Sequence, residues 1–130
     1  MPRSAHLPAP FPASRPRRLR RDAFTRALVR EHSLTASDLI LPVFVHEGVD
    51  LVTPVLSMPG VARLSLDRLL RVAHECVALG IPVLALFPVI DASLKTPDGV
   101  ESTNPDGLIP RVVRALKAEL PQLGAAPHLA

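Results

Sequence analysis

Two apolar runs, LILPVFV at residues 39–45 and IPVLALFPV at residues 81–89, flank a single amphipathic segment, and this spacing constrains the fold more than any other feature of the chain. Runs so continuously apolar read as strands buried on both faces, the pattern of a parallel sheet, whereas strands with one wet face alternate. Between the runs Ser65 is an N-cap candidate, and Asp67 falls in the first turn, where the helix dipole favours negative charge. Leu66, Leu69, Leu70, Ala73, Cys76 and Val77 then recur at helical spacing as an apolar stripe, and Gly80 ends the helix. Strand, helix and strand joined in this way make a βαβ crossover.

The flanking segments extend the pattern. A short helix is expected over 22–31, with Phe24, Ala27 and Leu28 on one face. Thr35 and Asp38 have the spacing of a capping box ahead of the first strand. Pro42 sits awkwardly inside that strand, because proline removes a ladder donor and is usually confined to edges or bulges. A last helix is expected over 108–120, with Leu108, Val112, Ala115 and Leu116 at helical spacing and Pro110 tolerated in its first turn. Residues 46–64 and 90–107 are left as long strand-to-helix loops, against a single-glycine return at Gly80. Long βα loops over short αβ turns are the pattern of a (β/α)₈ barrel that works at the C-terminal ends of its strands. A doubly wound sheet finds no support, since no GxGxxG and no P-loop follows either strand. The expected fold class is α/β, a partial (β/α)₈ TIM barrel. It divides into an extended basic arm (1–21), a first helix with two βα units (22–124) and a tail (125–130).

Composition narrows the partners. A chain of 130 residues holds one domain with a modest core, and with four Phe, no Trp and no Tyr that core must be aliphatic. Residues 1–31 carry eight arginines against Asp22 and Glu31, a net of +6, while the remainder carries seven bases against ten acids, a net of −3. The basic character therefore belongs to the arm, which has the charge for nucleic acid, a membrane surface or an acidic neighbouring subunit. It has almost no interleaved aromatics, so nucleic acid is not the expected partner. Cys76 stands alone, with no CxxC and no Cys/His metal spacing. No run of about 18 apolar residues offers a membrane span. The early arginine is followed by no apolar h-region, and Pro8, Pro10, Pro12 and Pro16 would break a transit-peptide helix, so a cytoplasmic location is expected.

Five segments taken in order resemble a known family. RPRRLRRDAFTRALVRE, LILPVFVHEG, SMPGVARLS, LGIPVLALFPV and GVESTNPDGLIPRVVRALK are similar to the N-terminal third of delta-aminolevulinic acid dehydratase, or porphobilinogen synthase. The resemblance runs from about Arg15 to Gly124; beyond ELPQLG the chain reads AAPHLA, where the family continues into an aspartate-rich third strand. It implies a (β/α)₈ barrel whose arm embraces a neighbouring subunit in octamer-type homo-oligomers. It also implies a lyase that condenses two molecules of 5-aminolevulinate to porphobilinogen, for heme and other tetrapyrroles, with zinc or magnesium in the full-length family. The family's Schiff-base lysines, metal ligands and substrate-carboxylate ligands lie in later strands, so the resemblance assigns no catalytic, cofactor-binding or metal residue here. A truncated chain, inactive alone, is expected; the alternative is a non-catalytic module that binds a full-length subunit through its arm.

The residues themselves agree with that assignment of none. His46 and Glu47 lie at the working end of a strand, where a general base would sit, but solvent-facing loop residues are the preferred reading. An imine-forming lysine needs a depressed pKa from burial or a neighbouring cation. The two lysines are Lys95, in a turn-rich loop, and Lys117, on a polar helix face, and both are expected as exposed ammonium groups. Asp91, Asp98, Glu101 and Asp106 crowd one loop without EF-hand spacing. Cys76 falls on the apolar stripe as core, and His74 at its edge has no metal partner at i+4.

Overall fold

A computed structural model describes residues 10, 12–15 and 17–128. By its contacts the chain divides between Leu34 and Thr35. In the first unit, Arg18–Arg20 makes a 3₁₀ turn and α1 spans Ala23–Leu28, shorter than the 22–31 expected. The helix α1 buries none of its residues, and Arg26 donates to the carbonyls of Arg20 (2.9 Å) and Arg21 (3.1 Å). It falls with the N-terminal unit and not with the βα units. The extended arm expected over 1–21 falls largely on residues outside those described.

In the second unit, β1 (Ile40–His46), β2 (Val52–Pro54), β3 (Ala62–Leu64), β4 (Val83–Val89) and β5 (Gly124–Pro127) form one sheet in the order β2-β3-β1-β4-β5. The pairs β3–β1, β1–β4 and β4–β5 are parallel, and only β2–β3 is antiparallel. The helices α2 (Leu66–Leu79) and α3 (Leu108–Glu119) are the crossovers. The fold is therefore α/β with a parallel-rich sheet. Two segments differ from expectation. The 46–64 connection is not all loop, because β2 and β3 form a hairpin whose second strand pairs with β1 at Phe44 and Val45. Gly124–Pro127, expected as the last residue of the βα units and the start of a tail, is a strand that pairs with Val83–Leu86.

The strand faces also differ from the doubly buried reading. Val43, Val45, Leu84 and Leu86 are buried in one cluster with Leu69, Ala73 and Cys76 of α2 and with Leu108, Val112 and Leu116 of α3. Their alternate neighbours, among them Pro42, Phe44, Ala85 and Phe87, remain exposed or half-buried. Both helices lie on one face, and the apolar runs carry a second apolar face that α2 and α3 leave bare. Pro42 is accommodated in a central strand because β3 pairs with β1 only from Phe44 onward, leaving that flank without a ladder to interrupt. The same holds for Pro88, since β5 pairs with β4 only as far as Leu86.

Candidate functional site at the strand ends

Parallel strands deliver their C-terminal ends, and the loops that follow, to one edge of the sheet. At the end of β1, Glu47 is exposed and ion-pairs with Arg111 of α3. That guanidinium also donates through Nε to the Gly107 carbonyl at 3.4 Å. His46 departs from the solvent-facing reading: it is half-buried, and its Nε2 is shielded from solvent without a partner. Sequence spacing holds no signal for the Glu47 pair, because it depends on where α3 lands.

The next loop is held by α2. Asp67 accepts from the Ser65 hydroxyl at 2.7 Å and from the Asp50 N–H at 3.1 Å, and these two bonds, in that order, draw its carboxyl below the ordinary carboxylate range. Ser65 is fully buried, but it does not cap α2 through its side chain. Its hydroxyl serves the loop instead, accepting from the Leu51 N–H at 3.0 Å. Asp50, in the left-handed region at φ 55°, pairs with Arg68 Nε at 2.7 Å. This cluster fastens the β1–β2 connection to the start of α2.

The four acids of the 90–107 loop do not converge. Asp91 accepts from the Ser93 hydroxyl (2.6 Å) and N–H (2.8 Å), which together lower its pKa. Glu101 accepts from Asn104 Nδ2 at 3.1 Å, and Asp106 lies 3.6 Å from Arg114. Among the described residues no three His, Cys, Asp or Glu side chains gather as a metal site, so these residues do not fit the zinc or magnesium implied by the resemblance. Lys95 is exposed beside a cleft of about 590 Å³ between this loop and α3. Lys117 is exposed but not idle: its Nζ donates to the carbonyls of Leu123 (2.6 Å) and Pro121 (3.4 Å) beyond the end of α3. His74 meets Glu119 across the two helices at 3.1 Å. Cys76 is buried, and burial, then Glu75, pushes its thiol up and away from thiolate chemistry.

These features define a class: an α/β protein with βαβ crossovers on a parallel-rich sheet, presenting its polar loops at the strand ends. Within that class, the chain belongs to the delta-aminolevulinic acid dehydratase family, whose sequence model matches residues 13–129. The match continues through residues 125–129, expected to diverge. The chain is 45% identical over 121 residues to the delta-aminolevulinic acid dehydratase of Bradyrhizobium diazoefficiens, covering 93% of this chain and 34% of the relative. It is 40% identical over 110 residues to that of Streptomyces coelicolor, covering 85% and 33%. The similar barley protein, at 40% over 112 residues (85% of this chain and 26% of the relative), is named chloroplastic. A crystal structure of the Toxoplasma gondii enzyme, in complex with the reaction product porphobilinogen, superposes with a TM-score of 0.79 at 42% identity. That superposition covers 88% of this chain and 32% of the other. The chain thus spans about a third of the length of its bacterial relatives. No helix among the described residues is long and apolar enough to cross a membrane.

Proposed function

We propose that these residues are the N-terminal portion of a porphobilinogen synthase, a cytoplasmic lyase that condenses two 5-aminolevulinate molecules to porphobilinogen in tetrapyrrole synthesis. The single observation that carries this reading is the family match across residues 13–129. In it, β1, β4 and β5 are early strands of a (β/α)₈ barrel, and the basic N-terminal segment is the contact with a neighbouring subunit of a homo-oligomer. The share of the reaction done here is architectural: the Asp67–Ser65 cluster and the Glu47–Arg111 pair hold the strand-end loops in place. An imine with the substrate ketone needs a neutral amine. Lys117 is engaged by two carbonyls and Lys95 is exposed on its loop, so this reading assigns that step to neither.

The 130-residue chain alone is therefore expected to form no porphobilinogen from 5-aminolevulinate. A chimera is expected to form it when this chain replaces the matching N-terminal third of the Bradyrhizobium relative. A folded, oligomeric chimera without turnover would refute the assignment, and product formed by the isolated chain would refute its architectural share.

A further inference from the structure

The loop between β4 and α3 contains the same turn twice, Thr96-Pro97-Asp98-Gly99 and Asn104-Pro105-Asp106-Gly107. In both, the glycine N–H closes the turn on the carbonyl three residues back, at 3.0 Å to Thr96 and 3.1 Å to Asn104. Proline at the second position and glycine at the fourth suit turns of this kind. Each copy also sets an aspartate directly before a glycine. That pair is prone to cyclise, because glycine has no side chain to shield the amide nitrogen that attacks the carboxyl.

The two copies are held differently. Gly107 is buried and leads into α3, which puts Leu108, Ile109 and Val112 into the core. The Asp106 N–H donates to Asn104 Oδ1 at 3.0 Å, and its carboxylate lies 3.6 Å from Arg114. A Cβ on Gly107 would meet Glu101 Oε1 at 2.9 Å and the Asn104 carbonyl at 3.1 Å, so this amide has little room to turn. Gly99 leads instead into the 3₁₀ turn Val100–Thr103, which buries none of its residues. Asp98 is exposed, and its side chain has no hydrogen-bond or ion-pair partner among the described residues. A Cβ on Gly99 would meet nothing nearer than Ser102 Oγ at 3.7 Å. Cyclisation requires the glycine N–H to leave its turn carbonyl, an opening that costs least where few buried contacts hold the segment. The bonds that distinguish the two turns are local to residues 96–114, so the contrast does not depend on what covers the sheet.

We propose that Asp98 is a site of spontaneous isomerisation to isoaspartate, and that Asp106, in the same dipeptide, is protected from it. The Gly99 amide nitrogen bonds to Asp98 Cγ, and its proton leaves with the carboxyl hydroxyl as water, closing a succinimide ring. Water then reopens the ring. Cleavage of the new bond to Cγ restores aspartate. Cleavage at the backbone carbonyl leaves the main chain running through Cβ and Cγ, one atom longer in the strand-end loop. One water is released and one consumed, and no oxidant, reductant or cofactor takes part. The modification uses no lysine imine and no turnover, so it stands or falls apart from the proposed reaction.

The test ages the full 130-residue chain at neutral pH and digests it with trypsin, which releases both turns in one peptide, residues 96–111, between Lys95 and Arg111. Electron-transfer fragmentation then tells isoaspartate from aspartate at each position. Isoaspartate is expected to accumulate several times faster at Asp98 than at Asp106. A synthetic peptide of residues 96–111, which lacks the packing of α3, is expected to convert both positions at similar rates. Asn104→Ala, which removes the acceptor of the Asp106 N–H, should raise conversion at Asp106 and leave that at Asp98 unchanged. Gly99→Ala should slow Asp98 severalfold, because a Cβ crowds the attacking nitrogen. Equal conversion of the two positions in the folded chain would overturn the proposal. So would an Asp98 that stays unconverted while the free peptide reacts, or an Asn104→Ala chain in which both positions speed up alike.

Discussion

The Asp67 carboxylate receives the Ser65 hydroxyl and the Asp50 N–H, and those bonds hold a loop that has no regular ladder of its own. Both favour the ionised form, so the folded pKa lies below the 3.8 of an unfolded aspartate. A depressed pKa contributes stability above the unfolded value and loses it as pH falls through the folded one. Asp67→Asn is thus expected to be less stable than the parent at pH 7, with the gap closing as pH drops below 3.8. Urea midpoints of both proteins at the two pH values check this, and a gap independent of pH would show that shape, not charge, matters at this position. The position of Asp67 in the first turn was legible from spacing. Its partners were not, because Asp50 lies seventeen residues away and reaches it only once β1 and α2 are packed.

Element ends were the most legible scale. Gly80 has φ 76°, its N–H donates to the Val77 carbonyl (3.1 Å), and the Ile81 N–H donates to Cys76 (2.9 Å), the paired bonds of a Schellman motif. A Cβ placed there would meet only the Ala36 Cβ at 3.7 Å, an ordinary contact, so substitution is opposed by backbone conformation alone. Gly80→Ala is expected to cost about 1 kcal/mol, the left-handed penalty for an L-residue, read from a urea denaturation midpoint at unchanged slope. The helices α2 and α3 start at the expected Leu66 and Leu108, since their apolar stripes and flanking glycines are local signals. The strands β2, β3 and β5 were missed for a related reason. Each has three or four residues, so its identity comes from the ladder it joins and not from its own periodicity.

For the whole molecule, the division at Leu34 and Thr35 predicts an order of proteolysis. Arg17, Arg18, Arg20, Arg21, Arg26 and Arg30 are exposed, and α1 buries nothing, whereas Arg63 lies in a strand paired on both sides. Brief trypsin treatment is expected to accumulate a fragment beginning at Glu31, observed by mass spectrometry. Early cleavage after Arg63 would show that the sheet opens as readily as the N-terminal unit. The sequence by itself determined the α/β class, the two central strands, the two crossover helices and the family, because apolar periodicity, caps and ordered motifs are written locally. Tertiary structure alone decided that both helices share one face of the sheet, that β3 and β5 extend it, and that Arg63, Phe44, Phe87 and His128 fall in one row. Cross-strand register brings together residues as far apart as 44 and 128, and no local pattern specifies that alignment.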